Sequence, residues 1–146
     1  MEKWNGKTAI VTGASAGIGA AIVRDLAENC INVIALARRV EKLEALKSEL
    51  KATAGKITPM RCDVSGKSSI DSTFEEIEKT FESVQILVNN AAISPAGGFL
   101  DEGEDDVVDA RIVSTIETNL TGLVRMTRKA YKLKYRLPCC GIFTNV

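Results

Sequence analysis

A chain of 146 residues with 19 basic and 19 acidic side chains carries no net charge and is the size of one domain, able to bury about 70% of its unfolded surface. Neutrality removes the global field that would draw it to nucleic acid or an anionic membrane, and no apolar run approaches the ~20 residues that span a bilayer. Met1-Glu2-Lys3-Trp4-Asn5 does not open a signal peptide. The elements alternate. Thr8-Ala9-Ile10-Val11, β-branched and apolar, places a buried strand over Lys7–Thr12, and a helix follows over Gly17–Glu28. Asn32–Ala37 is a second strand. Val40–Ala52 is an amphipathic helix with Leu43, Leu46 and Leu50 on one face.

Lys56–Arg61 is a short third strand, which Pro59 marks as an edge or an irregularity. Ser65–Ser83 gives a helix whose core stripe is Ile70, Phe74, Ile77 and Phe81, and Gln85–Asn89 is an apolar fourth strand. Ser94-Pro95-Ala96-Gly97-Gly98 is a loop, and Asp105–Lys134 is largely helical with a break expected near Ser114. Leu137-Pro138 ends that helix and Gly141–Asn145 begins a fifth strand. Repeated β-α units with crossovers of this length argue for a single α/β domain, a parallel sheet with helices on both faces.

Two local charge features accompany the long helix. Asp101, Glu102, Glu104, Asp105, Asp106 and Asp109 crowd its start, while Lys129, Lys132, Lys134 and Arg136 gather at its end. Both suit the helix dipole on a solvated face; an acidic ligand or nucleic acid at the basic end is the competing reading. Cys30, Cys62, Cys139 and Cys140 show no metal-type CxxC spacing. No metal site is expected; free thiols in a reducing compartment are, with the cytoplasm as default location.

Chemistry concentrates between the first strand and first helix, at Thr12-Gly13-Ala14-Ser15-Ala16-Gly17-Ile18-Gly19. A strand, a glycine turn and a helix start aim backbone N–H groups and a helix dipole at one point, which suits a pyrophosphate. The spacing is GxxxGxG rather than GxGxxG, and the Lys-Ser/Thr of a nucleoside-triphosphate loop is missing. The glycines could instead serve only a tight turn and close helix–strand packing. Arg38 and Arg39 stand at the end of the second strand, where Ala37 occupies the place of the acidic residue that binds the ribose of NAD. Arginine there accommodates the 2′-phosphate of NADP, and Ser15 can add a hydroxyl. Arg38 as a solvated helix-start charge is the alternative.

These residues, together with Asp63-Val64, Asn89-Asn90-Ala91-Ala92 and Asn119-Leu120-Thr121-Gly122, resemble the short-chain dehydrogenase/reductase family in order and placement, over Lys7 to Val146. Within it the chain is most similar to the NADP-using group acting on alcohols and ketones, including the insect farnesol-dehydrogenase-like members. The resemblance implies a Rossmann-like doubly wound sheet, truncated here after the fifth strand, with NADP(H) as cofactor. It implies that Asp63 bonds the adenine amino group with Val64 beside the ring. Asn89, Asn90 and Ala91 would line the cofactor's ribose, and Asn119 would hold a water of the proton relay. Read on their own, Asp63 could cap the third helix and Asn89-Asn90 could end a strand. Ala92 stands where the family usually has glycine.

The family's Ser and its Tyr-x-x-x-Lys would follow the fifth strand and do not occur here; Tyr131 is followed four residues on by Tyr135. The expected function is therefore the cofactor-binding half of an oxidoreductase for a small-molecule alcohol/carbonyl pair, with a non-catalytic NADP-binding or interaction fragment as alternative. In full-length members the long helix helps build a homo-oligomer. A fifth strand left at the edge would make this product marginally stable or aggregation-prone.

Overall fold

The computed structural model describes residues 4–94, 105–136 and 142–145. Its elements run β1 (Thr8–Thr12), α1 (Gly17–Glu28), β2 (Asn32–Ala37), α2 (Val40–Glu49), β3 (Ile57–Arg61), α3 (Lys67–Thr80) and β4 (Ile86–Asn89). A long helix then comprises α4 (Asp105–Ile116), a π-helical segment (Glu117–Gly122) and α5 (Leu123–Arg136), and β5 (Ile142–Asn145) follows. The expected loop at 95–98, the carboxylates of Asp101, Glu102 and Glu104, and Leu137-Pro138-Cys139-Cys140 lie outside the described residues.

The five strands are parallel in the order β3-β2-β1-β4-β5. The fold is a Rossmann-like doubly wound sheet. Its chain moves outward from β1 through β2 to β3, then crosses back to place β4 on the other side of β1. Pro59 lies on the edge strand β3, opposite Ala35, where its missing N–H can face away from the ladder.

Alternation along the strands sends successive side chains to opposite faces. Ile10, Ile34, Leu36 and Leu87 meet Ile70, Phe74 and Ile77 of α3 and Met126, Ala130 and Leu133 of α5. Val11, Val33, Ala35 and Val88 meet Val23 and Ala27 of α1 and Leu43 and Leu46 of α2. Burying both faces explains why β1 and β2 read as continuous apolar runs rather than alternating ones. The long helix does not break at Ser114, whose hydroxyl donates to the Arg111 carbonyl at 2.9 Å within the helix. The irregularity lies later, in the π-helical segment. Among the described residues no helix is long and apolar enough to cross a membrane.

Candidate functional site

The direction of winding reverses between β1 and β4, and a crevice opens there outside the carboxyl ends of the strands. A cleft of about 360 Å³ occupies this position. Its walls come from the residue stretches that follow each strand: Gly13–Gly19, Ala37–Arg39, Cys62–Val64 and Asn90–Ile93, with Thr118 from the long helix.

Thr12 holds the first and last of these walls together from below. It is 1% exposed, and its Oγ1 accepts the Asn90 and Ala91 N–H groups, each at 3.0 Å, while donating to the Val88 carbonyl at 3.3 Å. The Asn90 amide returns the contact, its Nδ2 donating to the Thr12 and Gly13 carbonyls at 2.9 and 3.3 Å. This lattice leaves no room for a side chain at Gly13 or Gly19. A Cβ at Gly13 would sit 2.9 Å from the Ala91 Cα, and one at Gly19 would collide with the Gly13 carbonyl oxygen and lie 2.5 Å from Asn90 Nδ2. Gly13 and Gly17 also hold φ of +66° and +56°, the left-handed region that side chains avoid.

The turn delivers α1 with its N-terminus bare. The N-cap is Ala16, no side chain caps the first turn, and no acidic residue lies within it. The first N–H groups of a helix lack intrahelical acceptors, so an anion in the cleft meets amides and the positive dipole end without a competing internal ligand. Gly17 leaves open space where a Cβ would stand. Arg38 and Arg39 are exposed beside this point, and Arg39 Nη2 reaches the half-buried Ser15 Oγ at 3.4 Å. The absent Cβ atoms, the uncapped helix and two guanidiniums fit a diphosphate with a further anionic group.

On the opposite wall Asp63 Oδ1 accepts the Ser65 N–H at 3.0 Å and its hydroxyl at 2.7 Å, an Asx-type turn leading into α3. Oδ2 has no partner among the described residues and is left for a ligand donor. Cys62 is buried, and burial pushes its thiol above the usual range although Thr73 and Ser69 hydrogen-bond it, so it makes a poor nucleophile.

Not every expected residue faces the cleft. Gly13, Ser15, Ile18, Gly19, Arg38, Arg39, Asp63, Val64, Asn90 and Ala91 line it together, and Ala92 lines it with its exposed methyl. Thr12 and Gly17 shape the turn without lining it. Asn89 is buried and turns to α5, its Nδ2 donating to Thr127 Oγ1 at 3.0 Å. Asn119 clamps one peptide unit: Oδ1 accepts the Ile93 N–H and Nδ2 donates to the Ile93 carbonyl, both at 2.8 Å. The π-helical segment presents it there, as π-bulges often do at functional positions. Cys62, Ile93 and Thr118 line the cleft without any sequence signal of their own; only proximity to Asp63, the Asn-Asn pair and Asn119 could have found them.

Comparison with known proteins gives this geometry its relatives. Farnesol dehydrogenase of Aedes aegypti is 46% identical over 133 residues, covering 90% of this chain and 53% of that protein. A metagenomic short-chain oxidoreductase solved in complex with NADP superposes with a TM-score of 0.85 at 32% identity, over 97% of this chain and 62% of its own. An alcohol dehydrogenase from the archaeon Thermococcus sibiricus, complexed with 5-hydroxy-NADP, gives 0.82 at 28% identity, over 95% and 57%. The chain thus spans about half the length of the curated relatives it matches. The short chain dehydrogenase family profile matches residues 7–136, from the strand before the glycine turn through the end of the long helix, and the chain belongs to that family.

Proposed function

We propose that this chain is a single dinucleotide-binding domain that holds NADP(H), the cofactor-binding half of an oxidoreductase acting on a small alcohol/carbonyl pair. The observation that carries the reading is the pairing of an uncapped helix behind a tight glycine turn with Arg38 and Arg39 at the end of β2. The Gly13–Gly19 amides would hold the diphosphate. Arg38, Arg39 and Ser15 would take the 2′-phosphate, where an acidic residue in place of Ala37 would have selected a 2′-hydroxyl. Asp63 would accept from the adenine amino group, with Val64 against the ring. Asn90 and Ala91 stand where the ribose would lie, on a wall fixed by Thr12. Asn89 ties β4 to α5, and Asn119 fixes Ile93 and keeps the inner wall in place.

When bound, NADPH supplies a hydride to a carbonyl, and NADP accepts one from an alcohol. The residues present here bind and orient the cofactor. Relatives named for NADP complexes support the choice of cofactor.

Calorimetric titration with NADPH and NADH tests the reading. NADPH binds more tightly by about tenfold or more, the effect of charge-assisted contacts at a partly solvated phosphate. R38A/R39A abolishes that preference and leaves NADH affinity nearly unchanged. Equal affinity for the two cofactors, or preference for NADH, refutes it.

A further inference from the structure

We propose that the cleft between α3 and α5 binds a small soluble anion bearing two phosphate-type groups, at a site separate from the one at the strand ends. This second cleft, of about 490 Å³, is walled by Lys67 and Asp71 on α3 and by Arg125, Arg128, Lys129 and Lys132 on α5, over the apolar Ile70. It shares no residue with the first cleft. Five cations thus face one carboxylate within a chain whose total charge is zero.

The carboxylate accounts for only part of this charge. Asp71 Oδ2 accepts from Lys67 Nζ at 2.7 Å and Oδ1 from Lys129 Nζ at 2.6 Å, so both oxygens are used and the two walls are tied together. Hydrogen bonds from Lys129 and then Lys67 hold its carboxyl at about 2. Arg125 makes longer contacts, to the Ser65 carbonyl at 3.4 Å and to Glu117 Oε2 at 3.5 Å. Arg128 and Lys132 are exposed and have no ion-pair partner among the described residues.

Dipole compensation does not explain Arg125, Arg128 or Lys129. Its effect falls off within the last turn of a helix. α5 ends at Arg136, so Arg125, Arg128 and Lys129 all lie more than a turn inside. Positions 125, 128, 129 and 132 share one face, where like charges three and four residues apart oppose helix formation. Arg128 and Lys132 are separated by about 6 Å along the axis, a spacing for two anionic groups of one molecule. A long nucleic-acid strand is disfavoured because Asp105, Asp106, Asp109 and Glu117 precede the cations on the same long helix.

The test uses inorganic pyrophosphate as probe, followed by calorimetry and ³¹P line broadening at ~0.1 M salt, with R38A/R39A, R128A/K132A and the charge-preserving R128K/K132R. R38A/R39A, which strips the guanidiniums from the first cleft, retains a pyrophosphate-binding event. R128A/K132A weakens that event at least about tenfold, since two charge-assisted contacts are removed, while R128K/K132R keeps it within about threefold. Unchanged melting of all three variants confirms folding. Pyrophosphate affinity unaltered by R128A/K132A, loss of all binding in R38A/R39A, or binding of a single-stranded RNA in place of pyrophosphate each overturns the proposal. The effect of R128A/K132A is read in the R38A/R39A background and compared with Gly19→Ala, whose methyl disturbs the diphosphate cradle of the first cleft and leaves this event in place, so the outcomes stay distinct from those for NADP(H).

Discussion

Replacing Thr12 by Val keeps the shape of a side chain that is 1% exposed and removes only its hydroxyl. The Asn90 and Ala91 N–H groups lose their acceptor at 3.0 Å, and the Val88 carbonyl loses a longer donor at 3.3 Å. A stranded N–H costs about 1–3 kcal/mol. Asn90 and Ala91 are half-buried beside an open cleft, so water can reach them in part and the lower end applies, giving about 2–4 kcal/mol for the pair. A chain of this length has roughly 7–15 kcal/mol in total, so the variant stays folded but melts measurably lower. Thr12→Ser keeps the acceptor and loses one methyl, about 1 kcal/mol. Urea unfolding with a common slope separates the two. The reasoning fails if Thr12→Val is within about 0.5 kcal/mol of the parent, or if Thr12→Ser costs as much as Thr12→Val.

Gly19→Ala drives a methyl into the Gly13 carbonyl and Asn90 Nδ2; overpacking of this kind costs about 1–3 kcal/mol, and calorimetry should find NADPH affinity reduced by tenfold or more, with undiminished binding counting against the cradle. Gly122→Ala sets helix propensity, worth about 1 kcal/mol in favour, against a Cβ that collides with the Val64 carbonyl oxygen; the collision prevails, and thermal melting shows a net loss together with weaker cofactor binding as Val64 is displaced. Asp71 ionises at about 2 in the folded chain against 3.8 unfolded, so its contribution is fully present above 3.8 and lost as pH falls through about 2. The stability gap between the parent and Asp71→Asn, followed by urea melts across the acid range, therefore closes on acidification, and a gap independent of pH contradicts the pairing.

Element identity was legible because the helices carry the helical period and the buried strands stand out as short apolar runs between them. Gly17–Glu28 and Asn32–Ala37 match the sequence reading at both ends. Helix ends were less legible: α2 stops at Glu49 rather than Ala52, and α3 runs from Lys67 to Thr80 rather than Ser65 to Ser83. In α3 the difference arises because Ser65 is held in a turn by Asp63 and Phe81 is already extended. Phe81 still packs against the core as its position in the stripe suggested. The glycine turn and Arg38-Arg39 were visible because backbone demands and charge are local properties. The Asn119–Ile93 clamp joins residues 26 apart, and no local pattern announces it. The same applies to Asn89, whose neighbour Asn90 has an identical side chain but faces the cleft while Asn89 points to Thr127.

The widened turn over Glu117–Gly122 has a consequence for the rest of the long helix. Each residue of an α-helix advances the chain by about 100° of rotation, so the surplus residue of a π-helical turn resets the phase of everything after it. Met126, Ala130 and Leu133 reach the sheet, all buried, only with that phase. Removing a single residue between 117 and 122 would swing those three side chains toward solvent and withdraw Asn119 from Ile93 at once. One local irregularity thus synchronises the hydrophobic interior with the inner wall of the crevice.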